Sequence, residues 1–239
     1  RTDYRHIRWD EADKLIRANG AIVDSVPQAH REPLLGDSEG GTMVFVDGRL
    51  VYHNLADELQ QQGVVFTDLL TACKEHEALI RPNLMTKAVL PTDGKFAALH
   101  GAMWTHGVFV YVPRNKVAEL PLHVVMYNTR SGASLGHVLV MLDENSQATV
   151  QVEYASAPSE QQSAYIGATE LLVGDAANLT YVALQNWNRT TYEFSHQQAR
   201  IGRDASLDWI NGTMGGRLIK AYLELDIDGL GGNGRMSGF

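Results

Sequence analysis

The sequence has a single cysteine, Cys73, in 239 residues. That excludes an intramolecular disulfide framework and fits a reducing compartment, so the expected location is the cytoplasm. Long apolar runs are missing as well. No stretch approaches the ~20 consecutive apolar residues that a membrane-spanning helix requires. Positive charge is scarce: 20 Lys and Arg stand against 28 Asp and Glu, a net charge of −8, with no basic block. Nucleic acid and an anionic membrane surface are therefore poor partners. The first residues, from Arg1, do not read as a signal peptide. What is present is ordinary for a water-soluble globular chain, 44% hydrophobic and 20% charged. Its length allows one large or two modest domains.

The stretch from Val108 to Phe239 repeats itself. Val112-Pro-Arg-Asn-Lys-Val-Ala118 can be laid over Leu142-Asp-Glu-Asn-Ser-Gln-Ala148, then Val173-Gly-Asp-Ala-Ala-Asn-Leu179, then Ile201-Gly-Arg-Asp-Ala-Ser-Leu207. A weaker copy runs Asp228-Gly-Leu-Gly-Gly-Asn-Gly234. The start-to-start steps are 30, 31, 28 and 27 residues. A fixed period of this size indicates a repeat architecture. Each unit is two β-rich runs around a polar corner, and alternation is visible in Thr149-Val-Gln-Val-Glu-Tyr154 and Tyr222-Leu-Glu-Leu-Asp-Ile227. The pattern predicts a parallel β-helix, or β-solenoid, whose coils stack at roughly 4.8 Å. An antiparallel sandwich is the competing arrangement.

Ahead of the repeats the signals are mixed. Asp10 to Asn19 predicts a short helix. Thr42 to Tyr52, with Asp47-Gly48 at its centre, predicts a hairpin, because Asp-Gly supplies the positive φ angles of a two-residue turn. Leu55 to Gln62 predicts a helix ending at Gly63. Asp68 to Ile80 predicts another, capped by Thr67, stopped by Pro82 and burying Cys73. Asp93-Gly94 marks a turn, and Phe96 to Met103 reads as a helix leading into the repeats. The division expected is a small α+β region over residues 1–94 and a solenoid core over 95–239. The chain stops after a turn, where a solenoid would leave an open edge; this predicts a fragment of a longer protein.

Several short motifs invite a chemical reading. Gly132-Ala-Ser134-Leu-Gly136 has the spacing of a hydrolase nucleophile elbow, but strand-like residues follow Ser134 where that motif needs a helix. Gly229-Leu-Gly231-Gly-Asn-Gly234 has dinucleotide spacing with no helix after it. Asp226 and Asp228 hint at a calcium loop, yet its fifth and twelfth positions, Leu230 and Ser237, offer no carboxylate. Among nine histidines, His100 and His106 flank Trp104, His123 and His137 flank the first corner, and Cys73 and His76 lie one helical turn apart. One Cys and one His fall short of the four ligands of a closed zinc site. Asn178, Asn188 and Asn211 head glycosylation sequons that β corners also generate. No carboxylate pair, triad or phosphate cradle stands out.

The run Phe96-Ala-Ala-Leu-His-Gly-Ala-Met-Trp104, followed by Gly107-Val-Phe-Val-Tyr-Val-Pro113 and Leu120-Pro-Leu122, resembles the SufB/SufD family of the SUF iron–sulfur cluster assembly system. The front end, with Arg1-Thr-Asp-Tyr-Arg5 and Val44-Phe-Val-Asp-Gly48, looks like the SufD branch. The resemblance implies a right-handed parallel β-helix and a scaffold role beside a SufB-like subunit and a SufC-like ATPase. In the SufB branch an acidic-to-proline stretch carries a sulfur-handling cysteine. The matching stretch here is Val152-Glu-Tyr-Ala-Ser-Ala-Pro158, with Ala155 at the corresponding place, to within one residue. Alanine accepts no persulfide, which favours a non-catalytic, SufD-like role. The family's C-terminal part, with its SufC-contacting helices, has no counterpart here, so no family site residue transfers: catalytic, cofactor-binding and metal residues are all expected to be none.

Two readings follow. One is an assembly scaffold that is not an enzyme and binds no cofactor alone, meeting a transient iron–sulfur cluster only in the full complex; in isolation a homodimer is an alternative state. The other is a β-helix enzyme acting on polysaccharide or ester substrates, with Asp226, Asp228, Arg203 and Lys220 along one face, or with Ser134 as nucleophile.

Overall fold

A computed structural model of the chain describes residues 7–8, 15–16, 24, 26–31 and 40–239. The helix expected over Asp10–Asn19 lies largely outside the described residues. Of these, Leu15 forms an isolated parallel bridge with Ala133.

The repeats are five coils of a β-solenoid. Each coil gives one strand to each of two parallel stacks. In the first sheet these are β5 (Leu122–Asn128), β8 (Gln147–Ser156), β10 (Asn178–Asn186), β12 (Ser206–Thr213) and β14 (Asn233–Gly238). In the second they are β4 (His106–Val112), β7 (Gly136–Leu142), β9 (Ser163–Val173), β11 (Thr191–Ile201) and β13 (Leu218–Ile227). The short β6 (Ala133–Ser134) pairs with β9. The sandwich alternative is thereby excluded, since successive coils pair in parallel.

The register follows the repeats read from the sequence. Val112 pairs with Leu142, Leu142 with Val173 and Val173 with Ile201. The fifth copy differs. Ile227, not Asp228, stacks on Ile201, while Gly234 stacks on Leu207, so the last corner is one residue longer. Each corner turns on one residue with left-handed backbone: Asn115, Asn145, Ala176, Asp204 and Gly231, with φ of 62°, 55°, 56°, 55° and 74°. Asn, Asp and Gly tolerate that region. Neighbouring corners are tied by main-chain bonds, as from Asn115 N to Glu144 O at 3.0 Å and from Asn145 N to Asp175 O at 2.9 Å.

Alternation decides which side chains enter the coil. Val108, Val110, Val112, Val138, Val140 and Leu142 point inward and meet Leu122, Val124, Val150 and Val152 from the other sheet. The preceding segment extends both sheets. β1 (Gly41–Val46) pairs in parallel with β5 and, through the expected Asp47-Gly48 turn, antiparallel with β2 (Arg49–Leu55). Both turn residues have positive φ, 50° and 78°. β3 (Val65–Asp68) pairs antiparallel with β4.

The helices from Leu69 onward cover the outer face of the second sheet. After α1 (Gln28–Arg31), α2 runs Asp57–Gln61, shorter than expected because Leu55 ends β2. The helix expected over Asp68–Ile80 is two pieces, α3 (Leu69–Glu75) and α4 (Glu77–Ile80), broken at His76, where φ is −127°. Its cap is Asp68, whose carboxylate accepts from Thr71 N, and not Thr67, which belongs to β3. Leu69, Ala72 and Ile80 pack on Phe109 and Leu139. α5 (Lys95–Met103) lies further along, with Phe96 stacked on Phe194 at 4.0 Å.

Candidate functional site

On the outer face of the second sheet, α5 closes over a buried chain of titratable groups. His100 Nδ1 lies 3.0 Å from Ile166 O, His100 Nε2 lies 3.0 Å from His137 Nδ1, and His137 Nε2 lies 3.0 Å from Glu170 Oε2. A carbonyl only accepts, so His100 carries its proton on Nδ1 and accepts at Nε2; His137 Nδ1 is then the donor. One further proton sits between His137 Nε2 and Glu170. Met85 N donates to the same carboxyl oxygen at 2.8 Å, while Glu170 Oε1 is buried without a partner among the described residues. Burial, with His137 alongside, lowers the pKa of His100 to about 3. Trp104 packs against His137 at 6.3 Å.

A second network lies inside the coils. Glu193, on β11, accepts from Trp187 Nε1 at 2.8 Å, Ser195 Oγ at 2.9 Å and Gln185 Nε2 at 3.2 Å. Burial pushes its carboxyl pKa up, against the opposing pull of these three donors. Tyr154 and Tyr165 pack at a tilt against Trp187, with ring centroids 5.9 and 5.0 Å away. Towards the last coil Gln197 Oε1, Trp209 Nε1 and Asn211 Nδ2 are buried with no partner among the described residues. Such atoms are where internal waters bind.

On the outer face of the first sheet, Glu153 Oε1 accepts from His123 Nε2 at 3.0 Å and from Gln151 Nε2 at 2.8 Å. His30 Nδ1 stands 3.6 Å from the other oxygen. Of the histidine set, then, His100 meets His137 and His123 meets Glu153. His106 stays apart, under the hairpin turn and bonded to Thr105, with burial lowering its pKa to about 4. Among the described residues no three His, Cys, Asp or Glu side chains converge as a metal site.

The remaining candidates are built into the coils. Ser134 is buried in β6 and followed by strand β7, so the nucleophile-elbow geometry is not formed. The 229–234 glycines join β13 to β14, again two strands. A side chain at Gly229 would overlap Arg203 N at 2.1 Å, so close backbone approach accounts for that glycine. Asp226 accepts from Gln198 and Asp228 from Arg200, at 2.8 and 2.7 Å, while Arg203 pairs with Asp175 and Lys220 lies over Tyr222. Four residues imagined as one enzymatic row thus answer to four different neighbours. Cys73 is half-buried, and burial with Asp68 nearby raises its thiol pKa. Asn188 caps its own corner, accepting from Thr190 and Thr191. Ala155 is buried on β8, between Tyr127 and Asn186.

Glu153, Glu170 and Glu193 were not singled out from the sequence. For Glu193 a signal exists: in Thr191–Ile201 it shares parity with Ala199 and Ile201, an inward position that ordinarily takes an apolar residue. For the other two, burial comes from segments remote in sequence.

Fold and site together define a β-solenoid protein whose polar groups are matched from coil to coil and under a helical cover. Residues 125–239 match the model of the SUF system FeS cluster assembly SufBD core domain, and residues 38–124 that of the SufBD protein N-terminal region. The chain belongs to the SufBD family. It is 30% identical over 228 residues to the iron–sulfur cluster assembly protein SufB of Bacillus subtilis, covering 95% of this chain and 47% of that protein. SufBD family proteins of Staphylococcus epidermidis and Staphylococcus aureus are 29% and 28% identical, with the same coverage. The chain therefore spans about half the length of the curated relatives it matches. No helix among the described residues is long and apolar enough to cross a membrane.

Proposed function

We propose that the chain is a SufD-like, non-catalytic scaffold subunit of iron–sulfur cluster assembly, acting in the cytoplasm with a SufB-like partner and a SufC-like ATPase. The observation that carries this reading is that, among the described residues, the conspicuous carboxylates, histidines and arginines are bonded to neighbouring coils or buried, not gathered at an accessible point. A scaffold needs a rigid surface and no reactive centre. The SufD-like branch rests on Ala155, which offers no thiol, and on Cys73, whose raised pKa disfavours the thiolate that handles sulfur.

The test is copurification of the full-length protein with SufB- and SufC-like proteins of the same source, followed by anaerobic iron and sulfide reconstitution of the chain alone. A stable complex, with neither ATP hydrolysis nor a stoichiometric cluster on the isolated chain, is expected. Failure to bind either protein, or a stoichiometric cluster on the isolated chain, would overturn it.

A further inference from the structure

We propose that residues 81–103, a strap followed by α5, form an acid-released cover that lifts from the outer face of the second sheet while the solenoid stays folded. Two hydrogen bonds to the sheet hold the strap, beside the packing of Met85 and Val89 near Ala168 and of Leu84 near Leu139. Met85 N donates to Glu170 Oε2 at 2.8 Å, and Arg200 Nη1 donates to Lys87 O at 3.0 Å. Beside these points it is undercut by a groove of about 680 Å³ between Leu79 and Leu90 on one side and Met141 and Leu172 on the other. Met85 has left-handed backbone, φ 51°, a conformation that β-carbon residues adopt at an energetic cost. α5 follows Gly94, which gives it no side-chain cap, and has only nine residues, so docking rather than intrinsic propensity holds it helical.

Docking depends on protons being in fixed places. His100 accepts at Nε2 from His137, so a proton added there sets a donor against a donor. The titratable groups that face this pair are Glu170 on β9, His106 on β4 and His196 on β11. Asp93, in the turn before α5, and Glu224 and Lys220, on β13, act on His196 in turn. None supplies a second carboxylate to the His100–His137 contact. Once the cover lifts, His100 meets water and takes its proton at an ordinary pH. Burial lowers the pKa of His100 and of His196 in the closed form, in keeping with this. Lifting bares Ala168 and Phe194, which Ala97 and Phe96 now cover.

Hydrogen–deuterium exchange of the full chain at pH 7.5 and 5.5, corrected for intrinsic exchange rates, tests this. Peptides within 81–103 should exchange about tenfold faster at pH 5.5, the factor for one proton taken up on opening a unit below the ordinary histidine pKa of 6.5. Peptides from β8, β10 and β12 should be unchanged, and His100→Gln should cut the response, leaving only what His196 adds. His137→Gln serves if His100→Gln does not fold. Equal exchange of 81–103 at the two pH values, acceleration shared by all strands, or an undiminished response in the variant would each overturn the proposal.

Discussion

The first two coils and the last two share one fold and one register, yet their interiors differ. Between β4, β7, β5 and β8 the inward positions include Val108, Val110, Val140, Leu142, Val124 and Val152, all at most 3% exposed. Between β11 and β12 the inward positions include Glu193, Ser195, Gln197 and Asn211, with Trp187 and Trp209 among them. Backbone pairing and corner geometry thus define the solenoid independently of what fills it. The filling sets the energetics: dry coils gain about 1.5–3 kcal/mol per buried aliphatic side chain, whereas wet coils spend part of that gain on desolvating polar atoms.

The sharpest break of this contrast is a charge in the dry half. Val140→Asp places an unpaired carboxylate at a fully buried position and should destabilise by at least about 4 kcal/mol, read as a loss of the cooperative urea transition.

The buried histidines and Glu193 should also titrate in opposite directions. In the unfolded chain His100 and His106 take protons near pH 6.5; in the folded chain they resist until about pH 3 and 4. The folded state therefore binds fewer protons across this window. Stability is full above pH 6.5 and falls as pH drops, by about 1.4 kcal/mol per pH unit for each histidine. A loss of about 2–3 kcal/mol between pH 7.5 and 5.5 is expected in urea melts, and His106→Gln should remove roughly half of it. Glu193 acts the other way. Its carboxyl pKa is raised from 4.5, so its contribution is complete below that pH and declines as pH rises towards its folded value. Glu193→Gln should flatten that second limb and leave the histidine limb untouched.

A smaller effect separates the interiors by polarity alone. Gln197→Met removes a buried carbonyl oxygen that has no partner and one 3.1 Å bond to Ser195, at similar volume. It should change stability by no more than about 1 kcal/mol. Val140→Asn, the reverse kind of exchange in the dry half, should cost about 3 kcal/mol. Equal costs would mean that the two interiors are energetically alike.

Why the repeats were legible and the networks were not follows from the same contrast. Corner residues Asn115, Asn145 and Asp204 recur because each corner needs a left-handed residue, and that local demand is written at a fixed spacing. The hairpin at Asp47-Gly48 was legible for the same reason. By contrast, the cap at Asp68 was displaced by a tertiary event, the pairing of Val65–Asp68 with β4, which no local signal at Thr67 announces. The His100–His137–Glu170 chain joins residues from a helix and two coils. Each has an ordinary neighbourhood in sequence, and only stacking plus the docking of α5 brings them together.

The corner row also contains its own exception, and it gives the smallest expected effect. Ala176 holds φ 56° where its equivalents are Asn, Asp or Gly. Its methyl group makes that backbone cost roughly 1–2 kcal/mol, with no side-chain amide to offset it, unlike Asn145, which donates to Asn115 at 2.8 Å. Ala176→Gly relieves the strain but adds roughly 0.5–1 kcal/mol of unfolded-chain entropy to be lost. The net should be a stabilisation of about 0.5 kcal/mol, measured as a rise in the urea midpoint at unchanged slope. Because Ala176 N still donates to Arg203 O at 2.8 Å, the ladder between corners is retained. A destabilised Ala176→Gly variant would mean that the corner is held by packing of the Ala176 methyl and not by backbone preference. The left-handed row would then be a consequence of stacking, not one of its causes.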